Sequence, residues 1–409
     1  MKRSAQFRSG SAAALAAAAA CALLGISRAE VPANIDDLVG AGKYETAFNA
    51  LEKADPQNKD PAVFIRKIDL AVHYSVLCIN NQMFAFKDLE PGEDLAKLRG
   101  NPGTYSMHAV DVAKDGAALI EQAPADGRLR KAIGDWYFQG LQRCGQKGSE
   151  GEAISSYREA EKLGVADAAM LQRLGTLLLE QGKAEDAIVE LQAALKLDDA
   201  SADVHYNLAH ANYTLKHDAV AAQHAQRAFD LYKDQKLKSE AALLAAFTLY
   251  EAGDKAAALK YADSAETLKS GNSYYIVGKL LGLYVRAGEL SKARDQADEL
   301  FALEPTNPRL AQDVLAAYAK PALPGEVKAF FERNLPKYAD NKTAHGNLLF
   351  HYSDYFIRLG DNAEAIQRLE AAREDFRSQP DANVQALQAI DVRLSVLREK
   401  SPGDKPPAR

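Results

Sequence analysis

Small and apolar positions recur along most of this chain with the spacing of one face of an α-helix. Within residues 168–201, four such positions share one face of a 3.6-residue helix, namely Leu171, Leu174, Gly175 and Leu178. Gly182 follows, and glycine readily adopts the left-handed backbone conformation that ends a helix. A second stripe then comprises Ala187, Leu191, Ala194 and Leu195. The pattern predicts two short amphipathic helices joined by a tight turn.

The same pattern returns about every 34 residues. Ala187 has counterparts at equivalent places, namely Ala153, Ala221, Ala258 and Ala293. The turn glycine returns as Gly148, Gly253, Gly288 and Gly360, whereas Lys216 occupies this place in one repeat. Because a single hairpin would leave an apolar face uncovered, the chain is predicted to stack its hairpins into an array.

This repeat resembles the tetratricopeptide repeat (TPR) family, whose signature is W-x2-L-G-x2-Y, then A-x3-F, a later A, and P. The best copy carries this signature as Leu171-x2-Leu174-Gly175-x2-Leu178, then Ala187-x3-Leu191 and Ala194. The proline of the family is Asp199 here and appears as Pro305 in a later copy. The resemblance implies an all-α, right-handed superhelical solenoid of antiparallel helix pairs that serves as an interaction scaffold.

The chain is predicted to have five segments. They are a signal peptide (1–29), an N-terminal helical region with a degenerate first repeat and an irregular insertion (30–133), the regular TPR array (134–307), a region with a degenerate repeat, a further TPR unit and a capping helix (308–400), and a disordered tail (401–409). Helical patterns are also expected at 62–79 and 105–122. No run of alternating β-branched residues predicts a sheet, so the chain is expected to be almost entirely helical. The insertion at 83–103 fits no repeat and is expected to be a packing loop or the cover of a groove.

Residues 1–29 have the composition of a secretory signal peptide. Lys2, Arg3 and Arg8 precede the uncharged apolar run Ala12–Ile26, and cleavage is expected after Ala29. The run is shorter than the ~20 residues that span a bilayer, so no transmembrane segment is expected after cleavage. A lipoprotein acylated at Cys21 is a less favoured alternative, because apolar residues follow that cysteine. Alanine-rich signals of this type are typical of bacteria, which predicts a periplasmic location.

Cleavage would change the formal net charge from −6 to −10, since the leader carries four basic and no acidic residues. An acidic protein repels phosphate backbones, so nucleic acid is not an expected partner. Two cysteines, Cys78 and Cys144, would remain. In an oxidising compartment they either form a disulfide or stay apart as buried thiols, and the sequence leaves both alternatives open.

The sequence contains none of the common catalytic motifs, including H-E-x-x-H, G-x-S-x-G and the phosphate-binding P-loop. The chain is therefore predicted to be no enzyme and to need no cofactor. Four histidines cluster in one repeat, at His205, His210, His217 and His224. A spacing of five turns His205 and His210 apart on a helix, so no metal site is predicted.

The resemblance also locates a candidate binding surface, because the first helix of each TPR lines the inner wall of the family's groove. The candidate groove residues are Tyr206, Asn207, His210, Tyr213, Phe247, Tyr250, Tyr275 and Lys279. Aromatic side chains beside polar ones suit recognition of a peptide or a sugar, and the alternative is that several of these tyrosines pack between repeats. Members that clamp a chaperone's C-terminal carboxylate use basic and asparagine residues at places that here hold Gln172, Thr176, Asn207, Glu240 and Leu244. Only Asn207 matches, so such a clamp is not predicted.

The sequence thus predicts a non-enzymatic, protein- or peptide-binding scaffold of the bacterial cell envelope. The alternative is a glycan- or small-molecule-binding component of an envelope export or uptake system. An enclosed pocket under the 83–103 insertion would favour that alternative. A third hypothesis is a purely structural scaffold that works through its convex surface. The oligomeric state does not follow from the sequence.

Overall fold

The computed structural model describes residues 30–80, 82–101, 103–270, 273–319, 322–379 and 383–400. The predicted signal peptide, its Cys21 and the predicted tail at 401–409 lie outside these residues. The chain divides into two compact units, unit 1 up to Ala200 and unit 2 from Ser201. Within the described ranges, no helix has both the length and the apolar character needed to cross a membrane.

Unit 1 contains short helices, most of them in consecutive pairs. They are α1 (Ile35–Gly40), α2 (Tyr44–Ala54), α3 (Pro61–Tyr74), α4 (Leu95–Leu98), α5 (Ala117–Gln122), α6 (Gly127–Arg143), α7 (Glu150–Lys162), α8 (Ala168–Glu180) and α9 (Ala184–Leu197). A π-helical turn, Val112–Gly116, precedes α5. The predicted turn glycines Gly148 and Gly182 have φ angles of 93° and 73°, the left-handed region where a Cβ is disfavoured.

The described part of unit 2 consists of five consecutive helix pairs and one further helix. Its helices are α10 (Ala202–Thr214), α11 (Asp218–Leu231), α12 (Gln235–Glu251), α13 (Lys255–Leu268), α14 (Tyr274–Ala287), α15 (Leu290–Leu303), α16 (Pro308–Ala319), α17 (Pro324–Lys337), α18 (Lys342–Leu359), α19 (Asn362–Arg377) and α20 (Val384–Lys400). The predicted all-α, TPR-like fold of paired helices is confirmed.

The repeated alanines lie where the second helix of a pair meets the first. Ala153, Ala187, Ala221, Ala258 and Ala293 all have no accessible surface. The small side chain lets two helix backbones approach closely, and larger residues fill the space on either side. The complete burial of these alanines explains why a small residue recurs at this place in the repeat.

A three-stranded antiparallel sheet in unit 1 departs from the helical expectation. Its strands are β1 (Leu77–Asn80), β2 (Met83–Phe86) and β3 (Ser106–Ala109), in that spatial order. The helices predicted at 62–79 and 105–122 are therefore wrong over β1 and β3. Each strand is only four residues long, too short to show an alternating pattern.

Aromatic packing explains why the sheet forms. The ring of Phe86 stacks on Phe48 of α2, with centroids 4.6 Å apart. The ring of Phe84 lies 4.7 Å from that of Trp136 in α6. Burial of these side chains is worth about 1.5–3 kcal/mol each, and it depends on contacts distant in the sequence. Tertiary packing thus overrides local propensity in this segment.

A disulfide between Cys78 and Cys144 ties the sheet to the end of α6. Their Cα atoms are 5.5 Å apart, so the structure has the bonded arrangement of the two that the sequence left open. Next to the disulfide, Arg143 donates hydrogen bonds to the carbonyl oxygens of Val72 (2.8 Å) and Ser75 (3.0 Å). Strand β1, which precedes the insertion, is therefore held against α3 and α6.

A buried carboxylate joins three helices of unit 1. Asp135 of α6 is only 7% exposed and accepts hydrogen bonds from Lys131 (2.8 Å), Tyr157 of α7 (2.8 Å) and Arg173 of α8 (2.5 Å). Burial, followed by the charge of Asp135, raises the pKa of Tyr157. Because the carboxylate has a partner from each helix, its desolvation is compensated.

Candidate functional site

Six of the eight predicted groove residues line one cleft in unit 2. The cleft runs across α10, α12 and α14, each the first helix of its pair, and has a volume of about 180 Å³. The six residues are Tyr206, His210, Tyr213, Phe247, Tyr275 and Lys279. We call this surface the tyrosine cleft. Its position agrees with the inner wall that the resemblance to TPR proteins implies.

Tyr250 lies outside the tyrosine cleft and packs between two helices. Its hydroxyl donates a hydrogen bond to the backbone oxygen of Arg286 (2.8 Å), and the Arg286 guanidinium lies over its ring, 4.7 Å from the centroid. Arg286 also pairs with Glu251. Asn207, half-buried on α10, is likewise not among the lining residues. Tyr250 therefore packs between two repeats, as in the alternative that the sequence left open for these tyrosines.

Three further side chains complete the cleft wall on α12, namely Glu240, Leu243 and Leu244. They are not among the eight candidate groove residues, although Glu240 and Leu244 occupy two of the family's clamp positions. The sequence spacing indicates that they belong to the same helix face as Phe247, because Glu240, Leu243 and Leu244 precede it by seven, four and three positions. Side chains at those spacings share one face of a helix.

The wall of the cleft is anionic near Tyr206. Burial, then the charges of Glu240 and Tyr275, raises the pKa of Tyr206 to about 12. The ring of Tyr206 meets that of Tyr232 edge-on at 6.3 Å, and the Tyr232 hydroxyl donates a hydrogen bond to Asp203 (2.6 Å). Tyr206 therefore stays protonated at neutral pH and can donate a hydrogen bond to a partner.

The opposite wall presents an exposed aromatic ring. Tyr275 is 58% exposed, and the ammonium group of Lys279 lies 5.6 Å from its ring centroid. An exposed ring beside a flexible cation offers both apolar contact area and a directed charge. This combination suits recognition of a side chain more than chemical catalysis.

A second cleft in unit 2 was not predicted from the sequence. It has a volume of about 350 Å³ and is lined by Tyr274, Leu303, Glu304, Asn307, Arg309 and Leu310. The Tyr274 hydroxyl donates to Asp313 at its edge. Tyr274 and Tyr275, although adjacent, thus line different clefts, because successive residues on a helix point about 100° apart.

The cavity behind the insertion is almost filled. It is lined by residues of α3, α6 and the sheet, including Ala71, Phe84, Trp136 and Arg143, and its volume is about 10 Å³. A space of that size holds at most one water molecule. The enclosed pocket that would favour a small-molecule carrier is therefore not formed there.

Two of the four clustered histidines meet in space. Nδ1 of His205 on α10 lies 2.9 Å from Nδ1 of His224 on α11. Burial, then the nearby His205, lowers the pKa of His224. Across the part of the chain that the structure describes, no three His, Cys, Asp or Glu side chains converge to hold a metal ion.

Paired helices with a cleft on the first helix of successive pairs define a helical repeat scaffold. Residues 175–216 match the sequence model of the TPR repeat, which confirms the family resemblance. Residues 175–216 thus carry a tetratricopeptide repeat, in a chain whose helices are paired as in TPR proteins. No curated protein matches its sequence.

Several solved TPR proteins are similar in structure. A tetratricopeptide repeat protein from Parabacteroides merdae is 16% identical, covers 69% of this chain and 98% of its own, and has a TM-score of 0.40. YrrB, described as a TPR protein with an unusual peptide-binding site, is 16% identical over 58% of this chain and 100% of its own (TM-score 0.33). PilW, a type IV pilus biogenesis factor, is 14% identical over 55% of this chain and 97% of its own (TM-score 0.35).

Proposed function

We propose that this chain is a non-enzymatic scaffold of the bacterial cell envelope that binds a segment of a partner protein in the tyrosine cleft. The observation that carries the proposal is the meeting of Tyr206, Tyr213, Phe247 and Tyr275 on three successive first helices. Aromatic side chains dominate the energetics of protein interfaces because they bury a large area with little loss of conformational freedom.

The form of the cleft favours a peptide over an enclosed small molecule. Its volume of about 180 Å³ is below the ~300–1,000 Å³ of pockets that enclose drug-sized ligands. Such a cleft accommodates one or two side chains of a segment that continues beyond it. The nearly filled cavity behind the insertion also argues against the carrier alternative.

The envelope location rests on two features of unit 1 and its leader. The Cys78–Cys144 disulfide is of a kind that persists in oxidising compartments such as the periplasm. The predicted signal peptide at 1–29 provides the route of export. Together they support a periplasmic protein, cleaved after Ala29.

The test is capture of the partner from cells. A photoreactive amino acid at Leu244, inside the cleft, is expected to crosslink to a protein that mass spectrometry identifies. Replacement of Tyr206, Tyr213, Phe247 and Tyr275 by alanine should remove that crosslink, because the apolar contact area is lost. Far-UV circular dichroism confirms that the variant remains folded.

Tyr274→Ala provides the matched control. Tyr274 neighbours Tyr275 but lines the second cleft, so its removal should leave the crosslink in place. Retention of the crosslinked protein by the fourfold alanine variant would show that the tyrosine cleft is not the binding surface. Loss in Tyr274→Ala alone would assign binding to the second cleft.

A further inference from the structure

We propose that the end of the tyrosine cleft bounded by Tyr206, Glu240 and Tyr275 is a subsite for a cationic side chain, lysine or arginine, of the partner protein. The inference rests on the proposed function, because it specifies what the bound segment presents. It assigns a role to Glu240, which lines the cleft without any place in the repeat's packing pattern.

Glu240 holds a carboxylate that the protein leaves without a counter-charge. The residue is half-buried on α12 and lines the cleft. Among the hydrogen bonds and ion pairs of the described residues, none engages its side chain. Partial burial weakens hydration of a carboxylate, so a cation arriving from outside gains more here than at an open surface.

Aromatic rings surround this carboxylate. Its charge acts on the hydroxyls of both Tyr206 and Tyr232, which places it beside this edge-on pair. Tyr275 lines the same cleft from α14. Aromatic faces attract ammonium and guanidinium groups, and a carboxylate next to them supplies the full opposite charge.

The charge balance at this end of the cleft favours a cation. Asp203, which accepts the Tyr232 hydrogen bond, adds a second carboxylate near the same rings. The cation among the lining residues is Lys279, and its ammonium lies over Tyr275 without an ion pair to Glu240 within 4.0 Å in the described structure. Glu240 and Asp203 thus place two carboxylates around the Tyr206–Tyr232 pair, while Lys238 lies over the ring of Phe229, 4.7 Å from its centroid. The position of Lys279 also demonstrates that the Tyr275 ring accepts an ammonium group.

The subsite can be tested with n-butylammonium, which reproduces the end of a lysine side chain. The protein used comprises residues 30–409. Binding of each probe is followed by the chemical shifts of labelled leucine methyl groups, including those of Leu243 and Leu244. Butylammonium should bind at least 5-fold more tightly than the neutral isostere butan-1-ol. Glu240→Gln should remove that preference, because the amide keeps the shape and loses the charge. Equal binding of the two probes, or an unchanged preference in Glu240→Gln, would overturn the inference.

Glu304→Gln is the control for a nonspecific charge effect. Glu304 lies in unit 2 and lines the second cleft rather than the tyrosine cleft, so this variant should keep the preference. A loss equal to that of Glu240→Gln would also overturn the inference. The cellular crosslink separates the subsite from the proposed function. If Glu240→Gln keeps the crosslink and the fourfold alanine variant loses it, only the subsite is refuted. If both variants keep the crosslink, the proposed function is refuted.

Discussion

Gly175 in α8 packs directly against Leu191 in α9. A Cβ atom placed on Gly175 would lie 2.6 Å from Cγ of Leu191 and 3.4 Å from the backbone oxygen of Ala187. The first distance is far inside van der Waals contact, so the Leu191 side chain can occupy this position only against a glycine. The repeat pattern places Gly175 and Leu191 on two different helices, and in the structure these two residues pack against each other.

We expect Gly175→Ala to destabilise the protein by about 1–3 kcal/mol, because the added methyl group overpacks this contact. Urea unfolding followed by circular dichroism measures the change. Gly151→Ala is the matched control, since Gly151 is in α7 and no atom would lie within 4 Å of its Cβ. There alanine should stabilise by about 0.5–1 kcal/mol through its higher helix propensity. A gain in stability for both variants would contradict the packing argument.

Lys216 occupies the turn between α10 and α11 with a φ angle of 62°. This left-handed conformation costs about 1–2 kcal/mol for a residue with a Cβ atom. We expect Lys216→Gly to stabilise the protein by up to about 1 kcal/mol, less any loss from the Lys216 ammonium now over the Tyr213 ring. Lys216→Ala removes the same ammonium but keeps the Cβ, and it should show no gain. Equal stabilities of the glycine and alanine variants would show that backbone strain is not relieved.

The Cys78–Cys144 disulfide closes a loop with a sequence separation of 66 residues. Cross-linking such a loop restricts the unfolded chain, and its removal is expected to cost up to about 4 kcal/mol. Cys78→Ser with Cys144→Ser should therefore unfold at lower urea concentration than the oxidised protein. Dithiothreitol should lower the midpoint of the wild type and leave the double variant unchanged. Identical midpoints of the oxidised and reduced wild type would contradict a stabilising bond.

His224 makes the stability of unit 2 depend on pH. Its pKa is lowered, first by burial and then by His205, so the unfolded chain binds this proton more readily than the folded chain. The full stabilisation is present above about pH 6.5, the ordinary pKa of histidine, and falls as the pH drops towards the lowered folded value. His224→Gln should flatten this part of a urea midpoint profile between pH 7.5 and 5. Exposed His210→Gln should leave the slope as it is, and a slope unaltered in His224→Gln would refute the assignment.

The tyrosine cleft shows how far repeat spacing leads towards a site. The spacing gives the register of the repeats, the resemblance to TPR proteins implies that the first helix of each pair lines the groove, and six of the eight residues chosen on that basis share the cleft. Tyr250 is not among the residues that line the cleft, and its hydroxyl donates a hydrogen bond to the Arg286 carbonyl on another helix. Glu240 occupies one of the family's clamp positions with a residue type that does not fit the clamp, and the structure places it in the cleft wall.

The helix pairs, their turns and the buried alanines follow from local periodicity, since each depends on residues a few positions apart. Gly182 and Ala187 take the places that this periodicity predicts. The small sheet, the disulfide and the contact of His205 with His224 depend on residues that are distant in sequence. Their formation is decided by which apolar surfaces meet and exclude water, and no short-range pattern encodes that choice. Periodicity therefore specifies the repeat, whereas three-dimensional packing specifies where the repeat is interrupted and which side chains share a cleft.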